Sequence, residues 1–265
     1  MKYVKLLLLA LSASIAPSHA QTPSISLNLE GEQGDINVQV GESLQRDVAK
    51  GIVRLTGGIQ IRQADGAIVL ADSAVLISEP NAIFTRDAEA LEGATLIGRV
   101  YLRNSDGFEI EAETLELKDE LTRFEALGAP VVVKIDSQSL EANEGLLGNL
   151  DTRTFYGYGG ATISLNDGKL VGNEVQITLP KNPQDRPKVL ARGDVLFVNL
   201  TASVAADQME SSDDGRFLTL SGNVEVTSGS SNFSSGSILI DLETEAFTLE
   251  AANTEPQAAL NFLKP

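Results

Sequence analysis

The sequence predicts an all-β fold of about 14 antiparallel strands, and three observations support this prediction. Apolar residues alternate with polar ones along many short runs, which is typical of strands with one buried face. Asp-Gly pairs separate several of these runs. Glycines recur at steps of 40, 30, 32, 33 and 29 residues, at Gly58, Gly98, Gly128, Gly160, Gly193 and Gly222. A helical stripe over three turns is missing, and the nearest helical candidate is the short segment 42–50.

Each of these glycines opens a two-strand unit of about 30 residues. A short alternating strand follows the glycine, and a polar turn follows the strand. The second strand then begins with a small residue followed by a polar one. These pairs are Ala71-Asp72, Ala112-Glu113, Ala142-Asn143, Gly172-Asn173, Ala206-Asp207 and, less closely, Ser235-Gly236. Partial copies at this regular spacing predict a stack of similar units.

The turns have the composition of β-hairpins. Glycine accepts a positive φ at little cost, and tight reversals between antiparallel strands need such residues. The predicted hairpin turns contain Asp65-Gly66, Asp106-Gly107, Asp167-Gly168 and Asp214-Gly215. The stretch 180–187 is rich in Pro and charge and is interpreted as a long loop, since the pattern resumes at Gly193.

The composition excludes several kinds of chemistry. The chain has 265 residues, a formal charge of -17, no Cys and one His, which is His19. Thiol nucleophiles, disulfides, zinc sites with nitrogen or sulfur ligands and Ser-His-Asp catalysis are therefore not expected in the exported chain. The strong negative charge, with no Lys/Arg cluster, argues against a nucleic-acid partner. No cofactor and no metal are expected.

Residues 1–20 have the features of a secretory signal peptide. Lys2 and Lys5 precede an apolar run, and Ser18-His19-Ala20 forms a cleavage site of small residues. The apolar run is too short for a spanning helix of about 20 residues, although an uncleaved membrane anchor is the alternative. The predicted organisation is a signal peptide (1–20), an N-terminal lead-in with the first strands (21–50), the β units (51–250) and a C-terminal tail (251–265).

The alternation puts a set of branched apolar residues on one face of the predicted strands. Such a face fills a core or lines a slot for acyl chains, and periodicity does not distinguish the two. A sandwich, a jelly roll and a solenoid would each close these faces together. The candidate lining residues are Val100, Leu102, Phe108, Ile110, Leu115, Leu117, Val131, Val133, Ile163, Leu165, Val175, Ile177, Leu179, Val224 and Val226.

The units resemble the LptA/OstA family of periplasmic lipopolysaccharide-transport proteins, which includes the organic solvent tolerance-like N-terminal domain. The pattern of that family is Gly-x-Val/Ile-x-hydrophobic, a polar turn, an Ala-Asp-like pair entering an alternating strand, and a bend with Asp/Glu and Thr. It is found here in the segments 55–77, 101–133 and 161–179. The resemblance extends over about 51–250 and rests on spacing and residue class rather than on a catalytic motif.

This resemblance implies both a fold and a function. The fold would be a twisted, open-ended β-jelly roll that holds lipid acyl chains inside while sugars and phosphates stay outside. The protein would be a non-enzymatic bridge in the periplasm that moves lipopolysaccharide from the inner to the outer membrane. Its edge strands would join it to inner-membrane and outer-membrane components of the export machinery, or to further copies head to tail.

Two other functions are compatible with the residues. One is a self-associating structural β-solenoid, similar to an adhesin of the cell envelope, with a filled core. The other is a polysaccharide-active enzyme that uses a carboxylate pair such as Glu111 and Glu113. Calcium binding at the Asp-Gly turns lacks the EF-hand spacing. Tyr156 and Tyr158, next to Phe155, either pack at a bend or form a ligand platform.

Overall fold

The computed structural model describes residues 25–29, 36–78, 91–105, 107–119, 121–135, 138–165, 168–182, 185–199, 202–229, 231–244 and 246–250. Within these ranges the chain forms eighteen strands and one short 3-10 helix, Val48–Lys50. The prediction of an all-β, antiparallel fold is confirmed. The predicted signal peptide and C-terminal tail lie outside the described residues. Contacts divide the chain into unit 1 (1–136 and 147–150) and unit 2 (137–146 and 151–265).

Unit 1 is an antiparallel meander, in which each long strand pairs with the next one in sequence. Strands β4, β5, β6 and β7 pair in this order. The short strands β2 and β3 pair with the two halves of β4, β1 pairs with β2, and β8 and β9 pair with the two halves of β7. The strands are β1 (Ile25–Leu29), β2 (Ile36–Val40), β3 (Ser43–Asp47), β4 (Ile52–Gln63), β5 (Ile68–Ser78), β6 (Leu91–Arg103), β7 (Glu109–Lys118), β8 (Arg123–Leu127) and β9 (Val131–Ile135).

Unit 2 repeats this topology. The short strand β10 pairs with β12, and β12 to β18 pair antiparallel in sequence order. The strands are β10 (Gln138–Ala142), β11 (Gly145–Asn149, divided between the units after residue 146), β12 (Thr154–Leu165), β13 (Gly168–Thr178), β14 (Lys188–Val198), β15 (Ala202–Ser211), β16 (Phe217–Ser228), β17 (Ser231–Asp241) and β18 (Ala246–Glu250). The stretch 180–187 lies between β13 and β14, as predicted for a loop.

The strand count differs from the prediction in two places. Eighteen strands are described against the predicted total of about 14: three of them lie in the predicted lead-in before residue 51, and the segment 123–149 alone forms four short strands. The helical candidate 42–50 is also different. Ser43–Asp47 is a strand paired with β4, and only Val48–Lys50 is helical. Asp47 caps this turn by accepting from Lys50 N at 3.3 Å, and Gly51 ends it at φ 65°.

Five of the six recurring glycines mark β-bulges in long strands, and the sixth, Gly128, lies between β8 and β9. Gly58, Gly98, Gly128, Gly160, Gly193 and Gly222 all have positive φ, between 70° and 149°. In β4, Gly57 and Gly58 together face the single residue Asp72 of β5. The same two-against-one arrangement recurs in β6, β12, β14 and β16. Because a bulge bends its strand and increases the local twist, each long strand turns a corner at its glycine.

The polar residue of each small-polar pair lies opposite such a corner. Asp72 faces Gly98-Arg99 of the next strand, and a carboxylate oxygen of Asp72 bonds Arg99 Nη2 at 2.7 Å. Asn173 donates to Asp194 Oδ2 at 3.1 Å, and Asn223 donates to Asp207 Oδ2 at 2.9 Å. The spacing of the glycines and the small-polar pairs therefore reflects cross-strand contacts at the corners.

Three of the four predicted Asp-Gly turns have the expected backbone. Gly66, Gly107 and Gly215 have φ values of 94°, 84° and 68°. Asp65 Oδ1 accepts from Ala67 N at 3.0 Å, so this aspartate closes its own turn. Gly168 is different because it is the first residue of β13 and pairs with Leu165. Its conformation is extended strand rather than turn.

Candidate functional site

The predicted lining residues of unit 1 are all buried, and the strand register arranges them in rows. One row crosses six strands through Val38, Ile61, Val69, Leu102, Ile110 and Val133. A second row, beyond the bulges, crosses five strands through Leu55, Ala74, Leu96, Leu115 and Ala126. Each row is a continuous apolar strip that runs across the strands. The other predicted positions here, Val100, Phe108, Leu117 and Val131, are buried with them.

The two rows of unit 1 face each other. Phe108 precedes β7, whereas Phe124 pairs with Leu117 near the far end of β7. Nine residues of extended strand span about 30 Å. The ring centroids of Phe108 and Phe124 are nevertheless 6.1 Å apart, and both side chains are buried. The sheet of unit 1 therefore folds over along the line of bulges, and its apolar strips form two opposed walls.

Unit 2 contains apolar rows of the same kind. One runs from Leu140 through Ile163 to Leu170. The other runs through Val175, Ala191, Met209, Leu220 and Ile238. The predicted residues Ile177, Leu179, Val224 and Val226 are also buried in this unit. The backbone of Leu165 lies in β12, but its side chain is outside the described part of the structure.

The apolar walls are closed to water. The predicted lining residues whose side chains are described are between 0% and 8% exposed. Hydrocarbon would therefore enter only where the walls separate. Sequence reasoning missed several members of these walls, among them Val38, Val40, Phe124 and Met209. The alternation in 36–40 and 123–127 could have indicated them.

The comparison with known families identifies part of this fold. Residues 134–246 match the family model described as LptA/(LptD N-terminal domain) LPS transport protein. The matched segment comprises 113 of the 265 residues and is similar to that family. The resemblance predicted from the sequence is confirmed, and at family level it supports a role in lipopolysaccharide transport. No curated protein matches the chain.

The matched LPS-transport segment contains the apolar rows of unit 2 from Leu140 to Ile238. The recurrent corners Gly160, Gly193 and Gly222 also lie within it. Among the described residues, no helix is long and apolar enough to cross a membrane.

Glu111 and Glu113, the carboxylate pair considered for a polysaccharide-active enzyme, do not form an isolated pair. Lys134 Nζ lies 2.7 Å from Glu111 Oε1 and 3.8 Å from Glu109 Oε2. The hydrogen bond to Glu111 raises the pKa of Lys134, so this cation stays charged between the two carboxylates. Glu113 lies instead at a corner, where it packs against Gly128. The three glutamates therefore belong to two separate arrangements on the outer face of unit 1.

The aromatic cluster of unit 2 is divided between two faces. Phe155 is buried with the apolar rows, whereas Tyr156 and Tyr158 are only partly buried. The two tyrosine rings stack with their centroids 6.1 Å apart. Partial burial raises the pKa of Tyr156, and its hydrogen bond with Glu174 raises it further. Phe155 therefore packs in the interior of unit 2, and the two tyrosines lie on its outer surface.

Proposed function

We propose that the chain is a non-enzymatic periplasmic carrier of lipopolysaccharide, which holds the acyl chains between opposed apolar walls of a twisted, open-ended β-jelly roll. The observation that supports this most directly is the set of buried apolar rows that cross the strands in both units. Rows perpendicular to the strands give an acyl chain a path from strand to strand. The family match over 134–246 supports lipopolysaccharide as the cargo.

Transfer of an acyl chain from water into such walls is favourable by about 0.8 kcal/mol per CH₂ group. Since the walls are closed, part of this free energy is used to separate them. Val, Ile, Leu and Ala dominate the walls, and small or branched side chains leave little polar surface against a hydrocarbon guest. The sugars and phosphates of the lipid would remain in water outside the sheet.

Edge strands supply the connection to partners in this proposal. In the described residues, β1 is paired with β2 alone and β18 with β17 alone. Unpaired strand edges are templates for strand addition. Inner-membrane and outer-membrane components of the export machinery would add at these edges, as would a second copy joined head to tail. Cleavage of the signal peptide 1–20 would release the chain into the periplasm.

Site-specific photocrosslinking in cells tests the proposal with matched neighbours. A photoreactive residue replaces Val133, which is 1% exposed, or Lys134, whose side chain is 47% exposed. In unit 2 the matched pair is Val175, which is buried, and Glu174, which is exposed. We expect lipopolysaccharide adducts at Val133 and Val175 and few or none at the two controls, detected by immunoblot and mass spectrometry.

Equal or stronger capture at Lys134 and Glu174 would contradict an interior path for the acyl chains. The structural-solenoid alternative makes a different prediction. A filled, self-associating core gives no adduct at any of the four positions, and organic extraction of the purified protein releases no acyl lipid.

A further inference from the structure

We infer that unit 1 also binds a phosphorylated saccharide, in a groove on its outer surface at the first corner of the sheet. The groove has a volume of about 420 Å³ and lies over strands β2, β4, β5 and β6. This volume lies in the range typical of sites for small ligands, about 300–1,000 Å³. The side chains that give the groove its chemistry are those of Gln39, Gln60, Leu70, Asp72 and Arg99.

The groove exists because of the glycines at this corner. Gly41 N donates to Gly58 O at 3.0 Å, and a side chain at Gly41 would collide with the backbone of Gly57. A Cβ atom added to Gly58 meets nothing within 4 Å, so the space beside it is open. At the corresponding corner of unit 2, a Cβ atom on Gly160 would lie 2.9 Å from the amide nitrogen of Asn143. Asn143 occupies there the space that Gly41 leaves open.

Planar polar groups line the groove and suit the hydroxyl groups of a sugar. With its oxygen and nitrogen assigned from its neighbours, the Gln60 amide donates to Gln39 Oε1 at 3.2 Å and accepts from Arg62 Nη2 at 2.8 Å. Leu70 is half-buried between these amides and the corner, and offers an apolar surface to the C–H face of a sugar ring. The amide groups provide both donors and acceptors to adjacent hydroxyls.

Arg99 provides the phosphate-binding group. Its Nη2 and Nε atoms lie 2.7 Å and 3.2 Å from Asp72 Oδ1, which fixes the direction of the guanidinium. In the described structure these contacts use one edge of the fork, and the side chain of Arg99 is 88% exposed. A guanidinium binds phosphate oxygens with good geometry and remains charged at all physiological pH values.

The charge of the groove differs from that of the chain as a whole. The chain has a formal charge of -17. The two charged residues that line the groove, Asp72 and Arg99, cancel, and Arg62, which donates to Gln60, lies beside the groove. The corresponding positions of unit 2 are Glu141, Thr162, Val171, Asn173 and Asp194, which carry acids and no cation. A cation that can bind an anionic sugar is therefore present at the corner of unit 1 and not at these positions of unit 2.

This inference rests on the proposed function, because lipopolysaccharide is the molecule that would bring such a saccharide to the protein. The test uses soluble probes without acyl chains, so it is independent of the interior. Isothermal titration calorimetry on the full exported chain compares N-acetylglucosamine 1-phosphate, N-acetylglucosamine and inorganic phosphate. We expect the sugar phosphate to bind about tenfold or more tightly than either fragment, since both halves contribute hydrogen bonds.

Two variants locate the binding. Gly58→Asn fills the groove, and Arg99→Asn removes the guanidinium. Asparagine is chosen at position 99 because the chain has Asn223 at the matching corner position, with a φ of 47°. Each should weaken sugar-phosphate binding about tenfold, the scale of a lost charged hydrogen bond. The controls are Gly66→Asn, an open positive-φ glycine outside the groove, and Arg123→Gln, from an exposed ion pair with Asp119. Both should leave the affinity within about twofold.

The inference is wrong if inorganic phosphate binds as tightly as the sugar phosphate, if none of the probes binds, or if Arg99→Asn leaves the affinity unchanged. These results would leave acyl-chain capture at Val133 and Val175 intact, so a failure of the groove is distinct from a failure of the transport proposal. Conversely, sugar-phosphate binding without acyl-chain adducts would keep the groove and overturn the interior path.

Discussion

Units 1 and 2 build the same corner from different side chains. In unit 1 Gly98 and Arg99 have φ values of 75° and 45°, and in unit 2 Gly193 and Asp194 have 70° and 51°. The cross-strand partner is Asp72 in the first case and Asn173 in the second. One corner is held by an ion pair at 2.7 Å, and the other by an amide that donates to a carboxylate at 3.1 Å.

The difference shows which part of the corner is fixed. Glycine followed by a second positive-φ residue, facing one polar residue, recurs with little change in backbone angle. The charges at the corner are free to vary, because the polar contact is exposed and either kind of bond satisfies it. In the described residues, the corner of unit 1 combines the open Gly58 with the cation Arg99, whereas the matching corner of unit 2 has Asn143 against Gly160 and the acid Asp194.

The largest expected effect comes from the shared glycines. Gly98→Ala and Gly222→Ala should each lower the free energy of unfolding by about 1–3 kcal/mol, the cost of a non-glycine residue held in a strained backbone conformation. An added Cβ also lies 2.9 Å from the carboxylate carbon of Asp72 or Asp207. Urea denaturation followed by circular dichroism measures both. Similar losses of unfolding free energy in the two variants would show that the corner glycines stabilise units 1 and 2 equally.

Gly66→Ala is the control for that experiment. Gly66 has a φ of 94°, but nothing lies within 4 Å of its added Cβ. The Gly66→Ala variant therefore measures the loss of stability from the positive φ alone, without the steric contact present at a corner. If the two corner variants lose no more stability than Gly66→Ala, the contact with the facing polar residue is not a shared requirement.

A smaller effect on stability is expected at another carboxylate–guanidinium pair, Arg216 and Asp241 of unit 2, which are 2.7 Å apart. The side chain of Asp241 is 17% exposed, against 48% for Asp72. The bond from Arg216 holds the pKa of Asp241 well below its usual range, and the backbone N–H groups of Glu243 and Thr244 add to this. Its stabilisation is therefore complete above the unfolded-state value of about 3.9 and is lost as the pH falls through the lowered pKa.

Asp241→Asn should accordingly lower Tm at pH 7, and its difference from the unmodified chain should shrink as the solution is acidified below about pH 4. Differential scanning calorimetry over a pH series measures this. The control is Asp213→Asn, since Asp213 pairs with Lys188 but is fully exposed. A Tm difference that grows on acidification would contradict a stabilising ion pair between Arg216 and Asp241 with a lowered Asp241 pKa.

The smallest expected change in Tm distinguishes the ion pair at the corner of unit 1 from the amide–carboxylate hydrogen bond at the corner of unit 2. Asp72→Ala and Asn173→Ala should each reduce Tm slightly, because exposed polar contacts contribute little. Added salt should erase the difference for Asp72→Ala, since the Debye length falls to about 3 Å at 1 M. The difference for Asn173→Ala should persist. Equal salt dependence in both variants would show that the two corners are not held by different kinds of bond.

The sequence was sufficient to predict the faces of the strands but not their register. Alternation alone indicated that Leu102, Ile110 and Val133 share one face, because side-chain direction in a strand depends only on parity. It also indicated regular glycines and Ala-Asp pairs. It did not indicate that Asp72 faces Gly98-Arg99, since register between strands is a non-local property.

The misjudged strand count has a similar origin. In 123–149 each alternating run is only five residues long, and sequence patterns do not distinguish one bent strand from two short ones. The groove was beyond prediction for a simpler reason. Gln39, Gln60, Asp72 and Arg99 come from four strands, and no local pattern connects them.

The meander has a consequence for how the protein is made. Since β5 to β7 and β13 to β18 each pair with their immediate predecessor, most hydrogen-bonded partners are close in sequence. Local pairing shortens the loops that must close and so speeds folding. A chain that folds from its N-terminus can therefore add one hairpin after another to a growing sheet edge, and each added strand covers apolar side chains of the strand before it.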